Sequence, residues 1–477
     1  MAEKRWLTED KLALVIGMFL FCLALFNFAG INLLGWAVTI KMWLDPAKIF
    51  FPATGAYDIS GLMALLYTYV FVTAVLAIGV KWLGGDAFKF IKSFTVVFIL
   101  AYGFFSLGSY AYIAATPDVR EKVFHLPWSI GLTPEAGFII ALLAGVCVGN
   151  FFPRLAAWMK EALRPEMYVK IAIIILGAEL GVKALDALDL STAIIFRGLC
   201  AIAEAYLIYW AVVYFIARKY FKFSREWAAP LASGISICGV SAAIATGGAI
   251  RARPIVPIMV SSLVVVFTCV EMLLLPVLAE WALWKQPMVA GAWMGLAVKS
   301  DGGAIASGAI TDAFILAKAA SQGIVWKSGW ITMAATNIKV FIDVFIGIWA
   351  FVLAWVWCAK IECKPGQRMR FGEVLDRFPR FVLGYVLTFV LMLIVCARSP
   401  ELLKTGKALI ATTTPFRMIF FILTFFTIGA VSNFRKLWEE GIGKLALVYI
   451  VALFGFIIWI GLFISWVFFH GVHPPLA

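Results

Sequence analysis

Lys299, Ser300 and Asp301 stand side by side in an otherwise apolar run, PMVAGAWMGLAVKSDGGAIASGAI (287–310), and Gly302 and Gly303 follow them. A charge at the centre of a bilayer costs at least about 2.5–3.5 kcal/mol on insertion scales, so a chain that keeps one there has a use for it. A second segment, PLASGISICGVSAAIATGGAI (230–250), carries Ser233, Ser236 and Ser241 around a Cys238–Gly239 step. Breaking a helix inside a membrane frees N–H and C=O groups, which is tolerated only against protein or a wet cavity. A helix that restarts after such a break offers free N–H groups and a partly positive end to an anion's oxygens. Small residues also let neighbouring helices approach closely, and the two uses are compatible. The two segments are therefore expected to be interrupted elements that meet at mid-membrane. Ser233, Ser236, Cys238, Gly239, Ser241, Lys299, Ser300 and Asp301 are the candidate substrate contacts.

Other charges fall within apolar segments. Glu179 lies in a short one, 168–182, within LGAELG. Glu204 follows Arg197 by seven residues on one helix face, which suits either a structural ion pair or a proton-coupling carboxylate. Lys339 and Asp343 are spaced i, i+4 and can pair on their own helix, with Lys339 also a candidate anion contact. Glu271 lies late in the run 254–281 and reads as interfacial. Gly145 with Gly149, and Gly177 with Gly181, are small-xxx-small pairs and read as packing. His125, His470 and His473 fall outside the apolar segments, which argues against a histidine proton relay within the membrane. No phosphate-binding loop of the Gly-x-x-x-x-Gly-Lys-Ser/Thr type occurs, so no ATPase is expected. Cys358 and Cys363 are two thiols without further ligands, and no metal or other cofactor is expected.

The elements that must hold these residues are membrane helices. Hydrophobic residues make up 63% of the 477 and charged residues 14%, against roughly 25% charged in soluble domains, too few to cover a globular surface. With about 20 apolar residues needed per crossing, about thirteen segments qualify: 12–35, 61–80, 93–115, 135–152, 168–182, 192–217, 230–250, 254–281, 287–310, 328–358, 378–397, 408–432 and 443–469. The expectation is an all-α polytopic membrane protein. The first run is longer than the apolar region of a cleavable signal and reads as the first span. Lys and Arg lie mainly in the short connections, so the net charge of +13 reads as a topology signal and not as a nucleic-acid surface. Alternate loops hold about 22 and about 12 of them, which places the N-terminus inside and the C-terminus outside.

From about residue 90 onward the chain resembles the bacterial YeiH-like sulfate-exporter family. The resemblance rests on AGFIIALLAGVCVGN (136–150), ILGAELG (175–181), SGISICGVSAAIATGGAI (233–250), GAWMGLAVKSDGGAIASGAI (291–310) and FTIGAVSNFRKL (426–437), in matching order. Residues 1–90 then read as an added two-span module, and 91–477 as a transporter core of about eleven spans. The resemblance implies a secondary-transporter fold with internal inverted repeats, a bacterial inner-membrane location and an anionic substrate. By analogy with related transporters a homodimer is plausible. Against the family pattern, Glu179 stands where an Arg is usual, and Lys299–Ser300 where His and an acid are usual. Lys339 keeps a basic residue where members carry Arg. The first two departures have opposite sign. They suggest that Glu179 and Lys299 pair, or share a ligand, in at least one transport state.

The resulting expectation is secondary transport of a small anion such as sulfate or a sulfonate, with a proton or sodium ion as a possible coupling partner. A cation- or proton-coupled antiporter of another solute is the main alternative. A channel would need a pore ring shared by several subunits. A membrane enzyme would need a polar catalytic loop, and the long connections 36–60 and 358–377 hold only scattered acids. No catalytic residue is expected.

Overall fold

The computed structural model describes residues 8–115, 119–130, 134, 136–186, 188–250, 252–253, 255–344, 349, 352–357, 380–432 and 443–477. In chain order the main elements are α1 (Glu9–Leu25), β1 (Val38–Ile40), β2 (Phe50–Pro52), α2 (Gly61–Trp82), α3 (Ala87–Gly108), α4 (Ala136–Phe151), α5 (Pro165–Lys183) and α6 (Leu188–Phe215). They continue with α7 (Arg225–Ser236), α8 (Gly239–Ala249), α9 (Ile255–Leu283), α10 (Pro287–Ala297), α11 (Asp301–Ser321) and α12 (Trp330–Val344). The last are α13 (Arg380–Cys396), α14 (Pro400–Val431), α15 (Gly443–Ala452) and α16 (Ile458–Phe469). Among the described residues, eight helical stretches are long and apolar enough to cross a membrane, and four shorter helices are apolar as well. The segments 358–377 and 433–442, with Cys358 and Cys363, lie outside the described residues.

The chain forms two compact units, one of residues 1–188 and 380–431, the other of 189–379 and 432–477. In the first, α5 packs between α1, α13 and α14, and α4 packs on α14 and α3. Helix starts are set locally. Thr8, Ser60 and Asp86 accept N–H bonds from the first turns of α1, α2 and α3, satisfying donors that would otherwise be orphaned. The first apolar run does not stay helical to residue 35. A short 3-10 turn after α1 stops at Ala29, where Gly30 takes a left-handed φ of 76°, a conformation glycine adopts without strain. The chain then makes a small antiparallel hairpin of β1 and β2.

The glycine pairs do what their spacing predicts. A Cβ on Gly145 or Gly149 would strike the backbone of α14 near Phe426 and Ala430. One on Gly177 or Gly181 would strike α13 at Tyr385 and Phe389. Such contacts let helices approach through backbone packing, the main attraction available in lipid. Ion pairs gather at one end of this unit. Lys170 meets Asp10 at 3.3 Å and Glu166 at 3.7 Å, and Arg164 pairs with both Glu9 and Glu161.

In the second unit α10 packs against α12, α11 and α16, while α9 packs against α7, α8 and α11. Gly291 and Gly295 of α10 lie against α12 at Ile331, Ala335 and Ile338. Asp312, within α11, accepts N–H bonds from Gly329 and Ile331 at 2.9–3.1 Å and so fixes the start of α12.

Candidate functional site

Both Gly- and Ser-rich segments are broken helices. The first stops at Ser236; Ile237 (φ −111°, ψ −89°) and the extended Cys238 (φ −139°, ψ 109°) interrupt it, and α8 restarts at Gly239. The second stops at Ala297, passes through the extended Val298 (ψ 127°), Lys299 and Ser300 (ψ 150°), and restarts at Asp301. The Gly247–Gly248 pair lies inside α8 and does not break it. The interruptions meet, because the Gly239 N–H donates to the Lys299 carbonyl at 2.6 Å.

Among the described residues, three buried charged side chains serve this crossing. Lys339, 1% exposed, projects from α12 and donates to the Ile237 carbonyl at 2.9 Å and the Val298 carbonyl at 3.3 Å. Those are the terminal carbonyls of α7 and α10, where a helix carries its partial negative charge. Lys299 turns its ammonium back to the Leu296 carbonyl, near the end of α10, and over the Tyr209 ring, 4.7 Å from the centroid. Glu271, fully buried within α9, accepts the Lys299 backbone N–H at 2.8 Å and the Tyr449 hydroxyl at 3.2 Å. Cations thus meet the carbonyl ends of the half-helices. The Glu271 carboxylate meets an N–H at the approach to α11.

The hydroxyls divide into two groups. Ser233 accepts from Thr246 at 2.7 Å and from the Trp210 indole N–H at 3.0 Å, tying α7 to α8 and α6. Ser300 caps α11 by accepting the Gly303 N–H at 3.0 Å. The hydroxyls of Ser236 and Thr268 are buried and have no protein hydrogen-bond partner. Ser236 adjoins the first break, and Thr268 packs beside Gly303 at the start of α11. A buried hydroxyl costs about 1–3 kcal/mol unless a water or a ligand meets it.

The other candidates fall as follows. Cys238 is buried at the first break. Arg197 donates to the Phe468 carbonyl at 2.9 Å and thereby caps the end of α16. The side chains of Glu204, Ser241, Asp301 and Asp343 lie outside the described residues. Glu179 belongs to the other unit. Its carboxylate meets the Lys183 ammonium at 2.9 Å and the Arg417 guanidinium at 3.0 Å. Among the described residues no group of three His, Cys, Asp or Glu side chains could hold a metal ion.

The charge and spacing patterns missed part of this site. Glu271 reads as interfacial from its place in the run 254–281, but it is fully buried in α9, which ends only two residues beyond that run, and its contacts with Lys299 and Tyr449 bring it to the break. Tyr209, Thr268 and Tyr449 carry no pattern of their own, because they reach the site from other helices.

A family model described as conserved hypothetical protein 698 matches residues 131–448. A UPF0324 membrane protein of Nitrosomonas europaea is 40% identical over 478 residues, 98% of this chain and 97% of its own length. An uncharacterized protein of Archaeoglobus fulgidus is 49% identical over 165 residues, 30% of this chain and 88% of its own. A UPF0324 membrane protein of Nitratidesulfovibrio vulgaris is 30% identical over 409 residues, 84% of this chain and 63% of its own. No solved structure matches the chain significantly.

Proposed function

This chain belongs to the conserved hypothetical protein 698 (UPF0324, YeiH-like) family of membrane proteins, and from that premise we propose that it is a secondary active transporter of a small anion. The observation that carries the reading is the pair of broken helices joined through Gly239 and Lys299, with the Lys339 ammonium spanning both breaks. Interrupted hydrophobic segments are where secondary transporters bind their cargo. The unpartnered hydroxyls of Ser236 and Thr268 are donors suited to sulfate, sulfite, a sulfonate or a carboxylate. The two buried ammonium groups of Lys299 and Lys339 lie at the same place. About thirteen membrane segments, inverted repeats, a bacterial cytoplasmic-membrane location with the N-terminus inside, and a homodimeric assembly complete the proposal. Transport, and not catalysis, is the activity.

A thermal-unfolding screen of the detergent-solubilised protein tests it. A ligand that binds only the folded state raises its apparent stability. A saturable rise with one of these anions, weakened by Ser236→Ala, is the expected result. No rise with any of them counts against an anionic cargo. A second reading, proton-coupled antiport of another solute, has one observation in its favour: Glu271 is a carboxyl group fully buried beside the break.

A further inference from the structure

Two half-helices end on one side chain. The last carbonyls of a helix have no intrahelical donor, and the end carries about half a negative charge. At the crossing two such ends, at Ile237 and Val298, converge on the Lys339 ammonium. Converging backbone carbonyls from unwound half-helix ends are the donor set with which transporters hold a monovalent coupling cation. Here a tethered cation already satisfies both oxygens. Lys299 adds a second ammonium to the same end of α10 through Leu296. The nearby carboxylate of Glu271 is engaged by the Lys299 N–H and Tyr449. Among the described residues, these two ammonium groups meet the carbonyl ends of both half-helices.

We infer that Lys339 is a built-in substitute for a coupling cation, so that the wild-type crossing binds no sodium or lithium ion. Shortening the side chain turns the same two carbonyls into a site for an alkali cation or a small alkylammonium ion. The significance for coupling rests on the transporter reading; the binding claim does not.

The test is thermal unfolding of the purified full-length chain in choline, sodium, lithium and potassium chlorides at equal ionic strength, with and without propylammonium. Wild-type protein is expected to unfold at one temperature in all of them. Lys339→Ala is expected to unfold several degrees lower in choline. It should recover saturably with sodium, lithium or propylammonium. Lys339→Met, which keeps most of the aliphatic stem, is expected to lose stability without recovering, because the stem still fills the position. Wild-type protein stabilised by sodium or lithium over choline overturns the inference. So does a Lys339→Ala variant indifferent to every cation, or one that folds in none of them, since a cation position opened by truncation should be refillable. Anion stabilisation of the wild type is scored in parallel runs in which choline sulfate replaces choline chloride, so failure of the anion reading and failure of this one are separate results.

Discussion

The Gly239 amide donates to the Lys299 carbonyl at 2.6 Å, and through that bond the restart of one broken helix is fixed to the interruption of the other. The contact needs a residue without a side chain. A Cβ on Gly239 would run into Val264 and come within 3.1 Å of the Lys299 carbonyl oxygen. Gly239→Ala is therefore expected to lower the unfolding temperature and to weaken anion-dependent stabilisation, and Gly239→Val to prevent folding. Gly55→Ala, which has open space around it, is the control and should behave as wild type.

In the other unit Glu179 holds two cations, Lys183 and Arg417. Removing one partner of a buried ion pair costs up to about 3–5 kcal/mol, because the other charge is left uncompensated. Glu179→Ala should lose stability on that scale, and Glu179→Ala with Arg417→Ala should lose less than the sum of the two. Denaturation of the four proteins in one detergent measures the coupling. Strict additivity would show that the pair carries no net interaction. The same cycle with Lys299→Ala, read in transport, asks whether Glu179 and Lys299 share a ligand.

Glu271 joins the break to Tyr449. Glu271→Leu removes the acceptor from a buried N–H and a buried hydroxyl, at about 1–3 kcal/mol for each group left unsatisfied. Glu271→Gln keeps an acceptor oxygen and should fold. If Glu271 is the coupling group, transport by Glu271→Gln loses its dependence on a proton gradient. A variant that still follows the gradient removes Glu271 from that role.

Much of this arrangement was legible in the sequence, and the limits have physical reasons. Both interruptions announced themselves because glycine, serine and charge inside apolar runs are unfavourable unless they face protein or cargo. Their partners did not. The carbonyls that Lys339 holds belong to residues 41 and 102 positions away, and no periodicity within one helix encodes such a contact. The Arg197 guanidinium caps the end of α16, a contact that no pattern on its own helix encodes, and the side chain of Glu204, its expected partner, lies outside the described residues. The hairpin after α1 went unseen because the apolar run continues beyond the point at which Gly30 ends the helix.

Flanking the apolar run 230–250, Glu226 and Arg253 form a surface pair with contacts of 2.7–3.3 Å. Hydrogen bonds from the Arg253 side chain and backbone hold the Glu226 carboxyl below its ordinary value of 4.5. A depressed carboxylate contributes stability above its unfolded-state value and loses it as pH falls through the folded one. The expected effect is a small loss confined to pH below about 4.5, absent in Glu226→Gln. Unfolding midpoints from pH 6 to pH 3 check it, and an identical acid response in the variant would contradict it.

The most direct measurement of the central claim is radiolabelled anion flux into liposomes carrying the purified protein, compared among wild type, Ser236→Ala and Thr268→Val. Sulfate, sulfite and a short sulfonate are each tested under an imposed ion or proton gradient. The account predicts saturable, gradient-driven flux of at least one of them, with an about tenfold weaker apparent affinity in each variant, the size of one lost hydrogen bond, and unchanged unfolding temperatures. Flux that is absent for every anion, or that proceeds with wild-type affinity in both variants, would contradict a substrate site at the crossing of the broken helices.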